Sequence, residues 1–314
     1  MTCQAPAETG ERGETGERGW RLAPGRPLVP GLLAWTPLGD GPRCETWLAW
    51  DVARWSPAAV KVPLPATMRA GRGAAALRPE LDVVAGLAHP GIQRVLDSNL
   101  DAELPYLEFE YVEGPTLEAA LDDDGPFDPV DVVLTGMQLA AALGYMHRSG
   151  LVHLDVKPGN AVLRDSRPVL IDFGFASPAG SPPPPGRVRG TPAWMAPEQI
   201  LRQPAAPSMD LFALGALLFE LATGEPAFEP SEDGPERRRW PQLDGGDRVA
   251  RDRALDATTP QRLGRLIADL LEPDPADRPA SAADVLAVLD EAMPLAAAGE
   301  RYWPSWATPS LFGR

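Results

Sequence analysis

The chain has 314 residues, 44% of them hydrophobic, enough to bury a substantial core as one large domain or as two lobes. A formal charge of −15 argues against the concentrated basic face that a nucleic-acid binder needs, and the one dense basic cluster, "RRRW" at 237–240, reads as a solvated loop beside acidic neighbours. Two cysteines, Cys3 and Cys44, exclude a disulfide framework and a cysteine metal cluster, and no stretch approaches the roughly 18 apolar residues of a membrane span, so the chain is expected in the cytoplasm with no membrane partner.

Residues 1–31 begin with a polar stretch in which "TGERG" occurs at 9–13 and again at 15–19, and continue into "APGRPLVPG". With few apolar residues and many Gly and Pro they are expected to form a flexible lead, and they lack the basic-then-apolar order of a secretory signal. From 32 to 111 the β-like runs "TWLAWDV" (46–52), "AAVKVPL" (58–64) and "PYLEFEYV" (105–112) alternate with turn residues, and one helical stretch spans 77–87. After Gly114 the spacing becomes helical, at 130–150, 209–222 and 260–272, with "LFALGALLFELA" (211–222) apolar enough to be a buried helix. "SPPPPG" (181–186) predicts an exposed extended loop, and 293–314, with Trp303, Trp306 and Phe312, a mobile tail. The pattern predicts an α+β chain: a small antiparallel sheet with one helix over 32–111, then a larger mainly helical part over 112–292.

Lysine usage is the sharpest compositional signal. Only Lys61 and Lys157 are lysines, against 27 arginines, an exchange of the kind a GC-rich bacterial genome encodes. An ammonium is a compact point charge that fits among phosphate oxygens, whereas guanidinium is a broad planar fork. At Lys157 such a compact charge would neutralise a transferring phosphoryl group. Around Lys157 stand Asp155, Asn160 and Asp172, the last in "LIDFGFA". A carboxylate with an amide oxygen suits Mg²⁺, which prefers hard oxygen ligands, and a second carboxylate can orient a hydroxyl and accept its proton.

The joint pattern "HLDVKPGN" (153–160), "DFG" (172–174) and "GTPAWMAPE" (190–198) resembles the catalytic loop, metal-binding loop and end of the activation segment of the eukaryotic-like serine/threonine protein kinases. The resemblance spans about 32–292 and implies a bilobal kinase fold with ATP and Mg²⁺ in the cleft between lobes. It assigns Asp155 to the acceptor hydroxyl and Lys157 to the transferring phosphoryl group. Lys61 in "AAVKV" would hold the α- and β-phosphates, with Glu80 holding Lys61. Asn160 and Asp172 would be the metal ligands. The base slot would be formed by Leu38 and Ala59 above and Val162 below. Glu110 to Val112 would offer backbone hydrogen bonds at the hinge, with Phe109 at its entrance. Asp210 would brace the catalytic loop, and Glu198 would pair with Arg278. The implied activity is transfer of the ATP γ-phosphate to Ser or Thr hydroxyls of proteins, the chain itself included.

Three departures stand out. In the phosphate-covering loop "LGDGPRCETW", Gly39 and Gly41 occupy the first two glycine positions, but Cys44 takes the third and Thr46 the usual valine, placing an oxidisable thiol near the phosphates. Leu154 stands where many members carry an arginine that receives an activating phosphate. The segment from Asp172 to Glu198 offers only Ser177, Ser181 and Thr191 as acceptors, so activity is expected without phosphorylation there, Thr191 instead bonding Asp155 and Lys157. Two alternatives stay open: a pseudokinase scaffold that binds nucleotide without turnover, and a small-molecule phosphotransferase, whose loop "HLDVKPGN" also resembles.

Overall fold

The structure is a computed structural model that describes residues 19–184, 190–229 and 240–292. The "TGERG" repeat, most of "RRRW", the end of "SPPPPG" and the C-terminal stretch with its three aromatics lie outside the described residues.

The small lobe is a six-stranded antiparallel sheet in the order β1-β2-β3-β4-β6-β5. Its strands are β1 (Pro27–Val29), β2 (Leu32–Asp40), β3 (Cys44–Asp51), β4 (Ser56–Pro63), β5 (Val95–Asn99) and β6 (Tyr106–Glu110). The period of two sorts the side chains. On the outer face Trp47 and Ala49 of β3 meet Val60 and Val62 of β4 in a core of their own, closed by Leu28 and Val29. On the inner face the register sets Thr46 beside Lys61 and Leu48 beside Ala59, so that Lys61 faces helix α2 (Gly73–Val84) and the second lobe. A five-residue helix, α1 (Pro65–Arg69), precedes α2.

The flexible lead expected over 1–31 is corrected from Trp20 onward. Trp20 N donates to Glu45 Oε1 at 3.0 Å and its indole Nε1 to Pro63 O at 2.9 Å, while Pro27–Val29 pair with β2. Four apolar side chains, Trp20, Leu22, Leu28 and Val29, are few for a segment this long. They nevertheless bind because the sheet's outer face offers an apolar surface, which they cover together with Ala102, Leu104 and Tyr106.

The large lobe is built around α6 (Pro207–Thr223), in which every residue from Met209 to Phe219 is buried. A helix apolar all round is a core helix. α4 (Pro129–Arg148) is long and apolar enough to cross a membrane by length and composition, but it packs against α6 and the helix Ala282–Ala292. The "mainly helical" expectation omitted two ribbons. β7 (Leu151–Val152) pairs with β10 (Ser177–Pro178), and β8 (Ala161–Arg164) with β9 (Arg167–Leu170). The β8–β9 turn uses Asp165 and Ser166 at φ 49° and 61°, the left-handed pair of a tight two-residue hairpin.

Candidate active site

The β8–β9 hairpin explains how residues twelve apart in sequence come together. Asn160 immediately precedes β8 and Ile171 follows β9, and Ile171 N donates to Asn160 O at 2.9 Å. Asn160 and Asp172 are thereby carried to the same end of the ribbon. Asn160 Nδ2 donates to Asp155 O at 2.9 Å and to Asp155 Oδ2 at 2.8 Å, which leaves the amide oxygen as the free donor atom for a cation. No group of three or more His, Cys, Asp or Glu residues gathers to form a metal cage among the described residues. An amide oxygen and one carboxylate fit a hard divalent cation that takes its remaining ligands from phosphate and water.

The catalytic loop is pinned from three sides. Asp210, in the first turn of α6, accepts from His153 N and Leu154 N, each at 2.8 Å, and His147 Nε2 lies 2.8 Å from its Oδ2. Gln199 Nε2 donates to Leu154 O at 2.9 Å. Thr191 Oγ1 donates to Asp155 Oδ1 at 2.8 Å and accepts from Lys157 Nζ at 2.8 Å, the contacts expected of it from sequence. Leu154 at φ 66° and Asp172 at φ 59° occupy the left-handed region, a strain that such surrounding bonds sustain at functional sites.

Lys61 Nζ bridges Glu80 Oε2 and Asp172 Oδ1, each at 2.7 Å. Burial alone would lower the ammonium's pKa, but the two carboxylates overcome it and hold it above the ordinary lysine range. Burial raises Glu80 even against the pull of Lys61. Asp172 is held low: burial works against its charge, but the charge and hydrogen bond of Lys61 with the Gly174 N–H together outweigh it. Lys61 thereby cross-links the sheet and α2 to Asp172. Phe173 is fully buried beneath it, its ring 5.1 Å from that of His153.

At the base slot, Val112 and Val162 pack with Val169 and Ile171, and Ala59 pairs with Phe109 across the sheet. Leu38 is 47% exposed, and a Cβ at Gly39 would meet nothing within 4 Å. Gly41 N closes the turn onto Cys44 O at 2.8 Å. Cys44, whose thiol the sequence places near the phosphates, is buried in the core, and burial pushes that thiol up to about 11. At Glu110 the backbone N is used, donating to Arg94 O, and the carbonyl accepts one hydrogen bond, from Gln93 Nε2 at 2.8 Å. Sequence reasoning missed Gln93 and His147 because neither lies in a motif. The one available signal was a Gln inside the otherwise apolar "HPGIQRVL".

Farther out, Arg278 meets Glu198 through two bonds of 2.7 and 2.9 Å, with Glu198 and Arg278 both buried. The pair anchors the end of the segment that carries Thr191.

Comparison with known proteins agrees with this geometry. The family model described as "Protein kinase domain" matches residues 35–288. The serine/threonine-protein kinase PkaA of Streptomyces coelicolor is 40% identical over 158 residues, 48% of this chain and 28% of PkaA. PknL of Mycobacterium tuberculosis is 35% identical over 221 residues, 68% of this chain and 54% of PknL. PknB of Mycobacterium leprae is 34% identical over 200 residues, 61% of this chain and 32% of PknB. The chain thus spans between about a quarter and a half of the relatives it matches. With its motifs, their geometry and a match over most of its length in agreement, the chain belongs to the protein kinase family.

Proposed function

We propose that this chain is an active serine/threonine protein kinase that transfers the γ-phosphate of ATP, as its Mg²⁺ complex, to Ser or Thr hydroxyls of proteins in the cytoplasm, its own included. The observation that carries the reading is the closed set Asp155–Thr191–Lys157–Asn160. One carboxylate, 6% exposed, is oriented by two donors at 2.8 Å with an ammonium 3.6 Å away. Asp155 is placed to accept the proton of an incoming hydroxyl, and Lys157 to neutralise charge on the moving phosphoryl group. Lys61, held by Glu80, would take the α- and β-phosphates. Asp172 and the Asn160 amide oxygen would hold the cation, which when bound neutralises phosphate charge. Leu38, Ala59, Val112 and Val162 would enclose the base, with Gly39 and Gly41 over the phosphates. Catalysis is then positioning and electrostatic stabilisation.

The pseudokinase alternative is disfavoured by the intact Lys61–Glu80 and Asp155–Asn160 pairings. The small-molecule alternative is disfavoured by "GTPAWMAPE" and its Glu198–Arg278 anchor, protein-kinase features that such phosphotransferases usually lack. Leu154 has no charge with which to receive a phosphate, and its backbone is held by Asp210 and Gln199, which supports activity without modification of the segment. The test is transfer of labelled phosphate from Mg-ATP to the purified chain and to a basic protein acceptor. Incorporation on Ser or Thr, lost by about 10²–10⁴-fold in Asp155→Ala and kept after phosphatase treatment, is the expected result. Nucleotide binding without transfer by the wild type would select the pseudokinase.

A further inference from the structure

Gln242 lies outside every motif and takes no part in the chemistry assigned so far. It sits in the single helical turn Pro241–Asp244, is completely buried, and donates through Nε2 to Pro192 O at 2.6 Å. Pro192 follows Thr191, whose hydroxyl donates to Asp155 Oδ1 and accepts from Lys157 Nζ, both at 2.8 Å. Within its own turn Pro192 O is met by Met195 N at 3.5 Å, the long limit of a hydrogen bond. Gln242 is thus the grip of another part of the large lobe on the backbone beside Thr191.

The orientation of this amide is unfavourable for the amide itself. A carbonyl only accepts, so the NH₂ must turn to Pro192, and Oε1 is then sealed from solvent with no hydrogen-bond partner among the described residues. A methionine of the same length would fill the space without burying an unmatched acceptor. Packing therefore does not account for a glutamine here, whereas the donor to Pro192 O does. The turn that carries the donor is firmly placed. Gly245 N closes onto Gln242 O at 3.3 Å, Gly245 takes φ 81°, and its carbonyl accepts from Arg251 Nη1 at 2.6 Å. A Cβ at Gly245 would come within 3.3 Å of Pro273 Cγ, and Pro273 O is one of the carbonyls that hold Arg278. Arg278 in turn holds Glu198, so the two ends of the segment, Thr191 and Glu198, are referred to one frame.

We infer that Gln242 is a positioning residue for phosphate transfer: by holding Pro192 O it places Thr191, and through Thr191 it orients Asp155 and Lys157 toward the acceptor hydroxyl. The inference rests on the roles of Asp155 and Lys157 proposed above. It leaves nucleotide binding aside, because Lys61, Glu80 and Asp172 are linked to one another without Thr191. A residue that only fills space would change stability and leave turnover per folded molecule alone. Gln242 changes turnover.

The test compares the full chain as wild type, as Gln242→Met, which removes both polar atoms, and as Gln242→Glu, whose neutral acid can donate to Pro192 O and whose carboxylate cannot. Transfer to a basic protein acceptor is measured per folded molecule, with the folded fraction read from urea unfolding and ATP binding titrated separately. Gln242→Met is expected to lose about tenfold in kcat, the factor for one hydrogen bond of ordinary strength, with ATP affinity unchanged. Burial favours the neutral acid, so the turnover of Gln242→Glu relative to wild type should exceed that of Gln242→Met at about pH 6 and fall toward it as pH rises to about 8. Taking the ratio at each pH cancels the charged groups common to both proteins: Asp244 on the same turn, the Glu198–Arg278 pair, and Glu220 at Trp194. If Gln242→Met does not fold, the fall of the Gln242→Glu ratio with pH decides alone. Wild-type kcat in Gln242→Met, a loss confined to ATP affinity, or a Gln242→Glu ratio that is flat or rises with pH overturns the inference while leaving an active kinase. Failure of both variants to fold makes Gln242 a packing residue and overturns it equally. Wild type that binds ATP and transfers nothing overturns the proposed roles of Asp155 and Lys157, and the inference with them.

Discussion

Two buried ion pairs, one in each lobe, use opposite cations for opposite ends. Arg278 is fully buried at its side chain and spends all five N–H donors on fixed partners: Glu198 twice, and the carbonyls of Glu272, Ser208 and Pro273. Lys61 is 14% exposed at its side chain and meets only two carboxylates, Glu80 and Asp172. Arginine serves where a rigid fork can be saturated by protein. Lysine serves where a small cation must stay available to phosphate oxygens. In a chain with two lysines, the difference separates a structural clamp from a working group.

Removing the clamp should give the largest effect on folding. Arg278→Met leaves the Glu198 carboxylate buried among groups arranged for a guanidinium, and breaking such a pair costs about 3–5 kcal/mol. Urea unfolding should show that loss as a lower midpoint with an unchanged slope, and the surviving folded fraction should retain nucleotide affinity. Ser208 Oγ, which also donates to Glu198 at 2.9 Å, is too weak a donor to replace a cation. A loss below about 1 kcal/mol would mean the pair is screened by water and the contrast with Lys61 is overstated.

Lys61→Arg makes the reciprocal change. The charge remains, so the unfolding midpoint should move little, but the wider guanidinium occupies the space of the phosphate oxygens. Phosphate transfer should fall by about 10²–10³-fold, the scale seen when one electrostatic contact to a transition state is lost. A variant with near-normal transfer would show that charge alone suffices at this position, and the scarcity of lysine would lose its explanation.

The same contrast decides what was legible in the sequence. Lys61, Glu80, Asp155, Lys157, Asn160 and Asp172 were legible because the chemistry restricts both residue type and spacing. Arg278 and Asp210 were legible because they complete motifs. Gln93, His147 and the docking of Trp20 were not: Gln93 and Trp20 each meet a carbonyl brought close by the fold, Glu110 O and Pro63 O, and His147 meets the Asp210 carboxylate 63 residues away. A carbonyl has no sequence signature. The β8–β9 hairpin was hidden similarly, because its turn is made by Asp165 and Ser166 with no glycine. Averaged composition concealed β1: four apolar residues count for little in a polar lead but cover part of one face of a sheet.

Glu220 provides the control that neither ion pair can, a partly buried carboxylate on α6 with no cation partner among the described residues. Trp194 Nε1 donates to it at 3.0 Å. Burial raises its pKa to about 7, against that hydrogen bond and with the help of the Glu118 and Asp122 charges on α3 (Leu117–Asp124). The sign follows from proton counting. Below the ordinary value of 4.5 both folded and unfolded chains hold the proton, and Glu220 has no effect on stability. Between 4.5 and about 7 the folded chain keeps a proton that the unfolded chain releases, so stability from this group falls as pH rises, and above about 7 the full penalty applies. Glu220→Gln keeps an oxygen for Trp194 and removes the charge. The variant should match wild type near pH 4.5 and exceed it at pH 8 by about 1 kcal/mol, a figure reduced for the solvent that still reaches the group. Denaturant midpoints of both proteins across that range measure it. A difference that stays flat with pH would mean Glu220 ionises as an exposed carboxylate does, so that burial without a cation is tolerated on this helix. The Arg278 clamp would then owe its strength to its five hydrogen bonds rather than to its charge.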